Sequence, residues 1–329
     1  MKLWPAAIAV VSALLLAGGV AGAQPAPVRM GVVLKALDNP FFVAMYEGVR
    51  AEAVRRGART LIRAPSSSDD LAGQAAQARA LVSGKQDCYV ANPISSTNLI
   101  AALRRAKKPI VNVDSPINLA AAKRAGIRIR TFIGTNDFAA GRLAGAKMVS
   151  LLKGKGTVAL LAGVAGSVNS RLRLSGFERG IRGSRLRIVA RVTANYRRDT
   201  GELAAERLLH DQANLSGFFA VNDLMALGIA DAVRTAGRTG KLKIIGVDGI
   251  AEALDGIDDG SISATVSQYP YVMGRMAVEA CIAAAHGAKL PRRVDSPVAI
   301  VTASNVGRAS AAFPRPFRHY ADPFGRLLP

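Results

Sequence analysis

Short apolar, often β-branched runs alternate along the chain with longer stretches whose apolar positions recur at helical spacing. The runs predict strands at 28–34, 59–63, 87–91, 109–113, 131–134, 157–162, 187–192, 217–221, 243–247 and 262–267. Lys243-Ile244-Ile245-Gly246-Val247 is typical. The stretches between them predict helices. One runs from Phe41 to Arg56, with Asn39 as N-cap, Pro40 in the first turn and Gly57 past its end. Another runs from Asp223 to Ala236 and stops at Gly237. Strands alternating with helices predict an α/β fold of parallel sheets covered on both faces. Ten strands divide naturally into two sheets of five, so two Rossmann-like lobes joined by short ordered crossovers are expected.

The ends of the chain depart from this pattern. Lys2, an apolar run from Ala6 to Ala17 and the ending Ala21-Gly22-Ala23 have the form of a secretory signal peptide. The expected mature chain begins at Gln24. From Thr302 onward periodicity is lost and Pro314, Pro316, Pro323 and Pro329 appear among aromatics, which predicts an irregular strap or extension.

Composition changes this picture little. The net charge of +21 is spread over pairs such as Arg104-Arg105, Arg197-Arg198 and Arg292-Arg293. With no long basic run and an export signal, it reads as a solvated surface rather than a nucleic-acid site. Cys88 and Cys281 sit in apolar surroundings and read as two small buried hydrophobes. One disulfide is the alternative in an oxidising compartment. The three histidines are isolated and no metal-ligand spacing occurs. There is no Gly-x-Ser-x-Gly elbow, and Gly237-Arg238-Thr239-Gly240-Lys241 lacks the spacing of a phosphate loop. Neither an enzyme nor a cofactor is expected.

In open parallel α/β sheets ligands bind beyond the carboxyl ends of the strands. The residues following the predicted strands are Lys35, Asn39, Phe41 and Phe42; Asp114 and Ser115; Arg171 and Arg173 after a Gly-rich loop; Tyr196; Asn222 and Asp223; Asp248; and Gln268. Singly, each has a structural reading: Asn39, Asn222 and Asp223 as helix caps, Asp248 as a turn residue, one phenylalanine as core, the arginines as surface charge. Together on one rim they mix donors and acceptors with aromatic rings, which suits the hydroxyls and C–H faces of a sugar.

Five segments recur in order in the ribose- and allose-binding periplasmic proteins, which this chain resembles from about Val28 to Val301. They are Val33-Leu34-Lys35-Ala36-Leu37-Asp38-Asn39-Pro40-Phe41-Phe42, Asn112-Val113-Asp114, Asn222-Asp223-Leu224-Met225-Ala226-Leu227-Gly228, Gly246-Val247-Asp248-Gly249 and Ala264-Thr265-Val266-Ser267-Gln268. Ser170-Arg171-Leu172-Arg173-Leu174-Ser175-Gly176-Phe177 is similar to the segment that carries the sugar-binding arginine there. The resemblance implies strand order 2-1-3-4-5 in each lobe and three crossovers. It divides the chain into a signal peptide (1–23), a first lobe (24–134 plus 269–296), a second lobe (135–268 plus 297–305) and a tail (306–329). It implies a site of Lys35, Asn39, Phe41, Phe42, Asp114 and Ser115 facing Arg173, Tyr196, Asn222 and Asp248, with Gln268 near the hinge. A monomeric periplasmic protein is expected, closing on a monosaccharide or polyol and delivering it to an ABC transporter permease. The alternative output is signalling to a chemoreceptor or sensor kinase. Ser115 stands where the ribose binder has Arg and the allose binder has Glu, and Tyr196 where they have Phe or Trp.

Overall fold

The computed structural model describes residues 26–328. The expected signal peptide, residues 1–23, therefore lies wholly outside the described residues. The first lobe runs through β1 (Arg29–Val33), α1 (Pro40–Arg55), β2 (Arg59–Arg63), α2 (Leu71–Val82), β3 (Cys88–Ala91), α3 (Ile100–Leu103), β4 (Ile110–Val113), α4 (Leu119–Arg124) and β5 (Ile129–Gly134). The chain then enters the second lobe with α5 (Asp137–Leu151), β6 (Lys155–Ala162), α6 (Val168–Gly180), β7 (Arg185–Thr193), α7 (Arg198–Asp211), β8 (Gly217–Ala220), α8 (Asp223–Thr235), β9 (Lys243–Asp248), α9 (Ala251–Asp258) and β10 (Ala264–Ser267). It returns through α10 (Pro270–Ala285) and β11 (Arg293–Asp295), and crosses again to β12 (Ala299–Val301) and α11 (Val306–Ala312).

The two sheets have the orders β11-β5-β4-β3-β1-β2 and β12-β10-β9-β8-β6-β7. Each contains the expected 2-1-3-4-5 arrangement of parallel strands. Each also gains a sixth strand that the sequence pattern does not reveal. β11 adds parallel to β5, and β12 adds antiparallel to β10. Burial follows position. The central strands β3, β4 and β8 are buried at every residue, whereas the edge strand β2 alternates between exposed and half-buried. A strand covered by helices on both faces has no solvent side, so it loses the alternation that marks an edge.

Three crossovers join the lobes, at 134–137, 267–270 and 295–299. They are bonded to one another: Ser296 N donates to Gly134 O (2.9 Å) and Ser296 Oγ to Gln268 O (2.8 Å). The chain passes between lobes on one narrow hydrogen-bonded seam, which is the geometry of a hinge.

Two expectations change. Cys88 and Cys281 are buried, as small hydrophobes would be, but they form a disulfide with Cα atoms 5.7 Å apart. The first lobe is built from two chain segments separated by most of the second lobe, from α5 to β10. The bridge from β3 to α10 holds those segments together across 193 residues of sequence. The tail is more ordered than its composition suggests. It contains α11 and a 3₁₀ turn at Gly325–Leu327, and Phe324 is fully buried.

Replacing both cysteines by alanine removes the cross-link together with two buried sulfur atoms. The double variant is expected to lose about 2–4 kcal/mol of stability in urea unfolding. An unchanged midpoint would mean that the bridge does not constrain the unfolded chain.

Candidate functional site

A cavity of about 790 Å³ lies between the lobes at the carboxyl ends of both sheets. On the first lobe, Asn39 caps α1 by accepting from Phe41 N (2.9 Å), and this turn carries Phe41 and Phe42. Their rings meet edge to face with centroids 5.2 Å apart. Lys35, just past β1, lies 3.2 Å from Asp114 Oδ2 and 5.3 Å from the centre of the Phe42 ring.

The second lobe is built around Arg173. Its Nε donates to Asp137 Oδ1 (2.7 Å), Nη1 to Val221 O (2.7 Å) and Nη2 to Gln268 Oε1 (2.8 Å). Asp248 Oδ1 lies 3.6 Å from Nη1 and accepts from Gln268 Nε2 (2.6 Å). Asp137 and Arg173 meet because α5 and α6 pack backbone to backbone. A Cβ on Gly141 would stand 2.0 Å from Arg173 O, and one on Gly176 would stand 2.1 Å from Phe138 O. Only glycine permits this approach.

Neighbouring turns are fixed in the same way. Asn222 caps α8 through Met225 N (3.1 Å) and donates to Tyr196 O (3.1 Å). The Tyr196 hydroxyl pairs with Ser167 Oγ at 2.7 Å. Asp223 points behind the site. It accepts from Gly249 N, Ile250 N and Thr265 Oγ1, which clamps the turn after Asp248.

Burial dominates the electrostatics. It pushes Asp248 well above the usual carboxylate range, with Arg173 opposing and Asp223 adding to the rise. Asp137 is raised by burial and held down in part by Arg173. Burial pushes Asp223 up to about 6 against its three donors. Burial also disfavours the charge on Arg173, but Asp137 and Asp248 more than offset this and hold its pKa above the ordinary value. Tyr196 is pushed up to about 12 by burial and stays a neutral hydrogen-bonding group.

Lys35, Asn39, Phe41, Phe42, Asp114, Arg173, Tyr196, Asn222 and Asp248 all line the cavity. Ser115 and Gln268 do not. Gln268 is fully buried behind Arg173 and Asp248, and Ser115 Oγ turns to Asp114 Oδ2 and Asn169 Oδ1, both at 3.2 Å. Of the two arginines, Arg171 is exposed and Arg173 is buried.

Sequence reasoning passed over Asp137 and Asn169. Asn169 joins the lobes: its Nδ2 donates to Asp137 Oδ2 (3.0 Å) and to Asp114 O (3.4 Å). The rule that ligand groups follow strands, applied to β5 as to the others, leads directly to Thr135-Asn136-Asp137. Nothing in the local pattern distinguishes Asn169. The outer rim, with Asp38, Ser68 and Asp69 opposite Arg197 and Asp199, was also not anticipated.

The periplasmic binding protein domain family matches residues 30–289. The chain belongs to this family. It is 31% identical over 277 residues to the ribose import binding protein of Bacillus subtilis (strain 168), covering 83% of this chain and 87% of that one. It is 32% identical over 270 residues to the D-allose-binding periplasmic protein of Escherichia coli (strain K12), covering 80% and 87%. Among solved structures, an ABC transporter periplasmic solute binding protein from Actinobacillus succinogenes with bound D-allose superposes with a TM-score of 0.82 at 25% identity. That match covers 85% of this chain and 99% of the other. The family is one of substrate-binding proteins of importers rather than enzymes.

In this periplasmic binding protein the Arg173–Asp137 pair is buried on both sides. Asp137→Ala would leave a buried guanidinium short of its main counter-charge, so it is expected to cost about 3–5 kcal/mol in urea unfolding. Asp137→Asn keeps an acceptor and should cost less. Equal stability of Asp137→Ala and the parent protein would contradict this account.

Proposed function

We propose that this protein captures a neutral monosaccharide or polyol between its lobes and delivers it to the permease of an ABC importer. The observation that carries the proposal is the buried network of Arg173, Asp137, Asp248 and Gln268 facing Lys35, Asp114 and Asn39 across one cavity that aromatic rings also line. Three of the five N–H groups of Arg173 are held by the protein, which leaves two for ligand oxygens. Asp114 and Asp248 supply acceptors from opposite lobes. Asn39 and Asn222 use one oxygen each as a cap and retain amide hydrogens for a hydroxyl. Phe41, Phe42 and Tyr196 offer apolar faces to ring C–H groups.

The charge of the cavity supports a neutral ligand. Lys35, Arg173, Arg197 and Arg198 line it, against Asp38, Asp69, Asp114, Asp199 and Glu202, besides Asp248, whose charge burial disfavours. A chain of net charge +21 thus carries an excess of acidic groups in its cleft, which disfavours sugar phosphates and sugar acids. The relatives named for ribose and D-allose, and the related structure holding D-allose, support the sugar class.

Ligand that touches both rims favours the closed lobes by its differential affinity for them. Residues 1–23 direct export, and the buried disulfide suits an oxidising compartment. The mature protein works as a monomer in the periplasm.

A thermal-shift screen of the mature protein against pentoses, hexoses and cyclitols is expected to find ligands that raise Tm. For the best of them, isothermal titration of Asp248→Ala should show binding weakened by about 1–3 kcal/mol, because hydroxyl partners lose their acceptor. Unchanged affinity would remove Asp248 from the site. A screen in which no sugar or polyol raises Tm would overturn the ligand class.

A further inference from the structure

We infer that residues 302–328 form a strap that ties the two lobes together beside the hinge and limits how far the cleft opens. This rests on the reading that the lobes close on a ligand. The family match stops at residue 289, before this segment begins.

The strap is anchored at both ends. It leaves β12 in the second lobe, where Thr302 N donates to Asn305 Oδ1 (2.9 Å), and α11 buries Val306 and Ala309 as it packs on α9. It then crosses the junction. Ala309, Phe313 and Phe317 lie against Gly249, Leu254 and Ser267 of the second lobe and Ala44 and Pro270 of the first, leaving a gap of only about 10 Å³. Gly249 directly follows Asp248, so the strap passes immediately behind the ligand site.

At the hinge the strap meets a strained residue. Tyr269 stands in the second crossover with φ of 55°, a conformation few non-glycine residues adopt. The Phe317 ring packs edge-on against it at 6.3 Å. Arg308 and Arg318 lie over the same Phe317 ring at 5.9 and 5.7 Å.

The far end docks on the first lobe. Arg275 Nη1 donates to the Tyr320 hydroxyl (3.2 Å) while its Nε donates to Glu52 Oε2 (2.9 Å). Arg55 and Arg56 reach Glu279 Oε1, both at 3.0 Å, so α1 and α10 present one charged dock. Burial, neighbouring Asp322 and Glu52 push Glu279 up to about 8. Phe324, farther along the strap, is fully buried.

A strap fixed to one lobe by α11 and to the other by the Tyr320 contact with Arg275 must stretch or detach when the lobes swing apart. The test is single-molecule energy transfer between dyes on Arg59→Cys and Arg187→Cys, exposed positions on β2 and β7. Mature protein is compared with a chain ending at Ala312, which keeps α11. The ligand-free full chain should show a narrow distribution, and the shortened chain one broadened toward longer distances. Identical ligand-free distributions would overturn the strap. Should the shortened chain not fold, Phe317→Ala with Tyr320→Phe in the full chain is read in the same way. Addition of D-allose separates the two ideas. If D-allose narrows both distributions alike but the ligand-free ones coincide, closure stands and the strap fails. If the ligand-free shortened chain is broader, the strap stands whatever D-allose does.

Discussion

An arginine with only 4% of its surface exposed must have its donors met, and the second lobe is organised around meeting those of Arg173. Its partners come from four places: Asp137 at the start of α5, Val221 just past β8, Asp248 at the end of β9 and Gln268 in the crossover. Removing a charge from water costs several kcal/mol unless geometry and hydrogen bonding repay it. Each partner is therefore fixed in position by the same charge, and the ends of β8, β9 and β10 are locked into one rigid rim. Through Asn169 the network continues to Asp114 O in the first lobe, so the two rims are registered against each other by the protein's own contacts.

Strain accompanies this order, and several of the strained residues line the cavity. Asp114, Tyr196 and Asp248 have φ of 60°, 63° and 143°, although none is glycine. Such backbone costs about 1–3 kcal/mol per residue and persists only where surrounding contacts fix it. Here those contacts are the Lys35 ion pair, the Asn222 amide on Tyr196 O and the Asp223 clamp beside Asp248. Side chains on opposite lobes are thereby aimed into one cavity by the protein's own contacts, and side chains fixed in this way lose less entropy on binding.

Much of this was legible in the sequence because it is local. Apolar runs located ten strands, and caps such as Asn39 and Asn222 marked where helices begin at the rim. Applying the strand-end rule and the family resemblance then brought nine cavity-lining residues together. What escaped is non-local or short. β11 and β12 have three residues each, too few for a period, and exist only because an edge was free to pair. The Cys88–Cys281 bridge spans 193 residues, and an apolar setting is the same for a buried thiol and a buried disulfide. Ser115 and Gln268 carry the right chemistry but are turned inward by Asn169 and Arg173, which only tertiary packing decides. In the tail, proline and aromatic content masked a helix whose stability comes from docking rather than propensity.

The central claim is that one polyhydroxylated ligand is held from both lobes at once. A crystal structure of the mature protein with the tightest sugar from the screen tests it most directly. The account predicts ligand hydroxyls within hydrogen-bonding distance of Asp114 on one side and of Arg173 and Asp248 on the other. A ligand bound to one lobe alone, or outside this cavity, would contradict it.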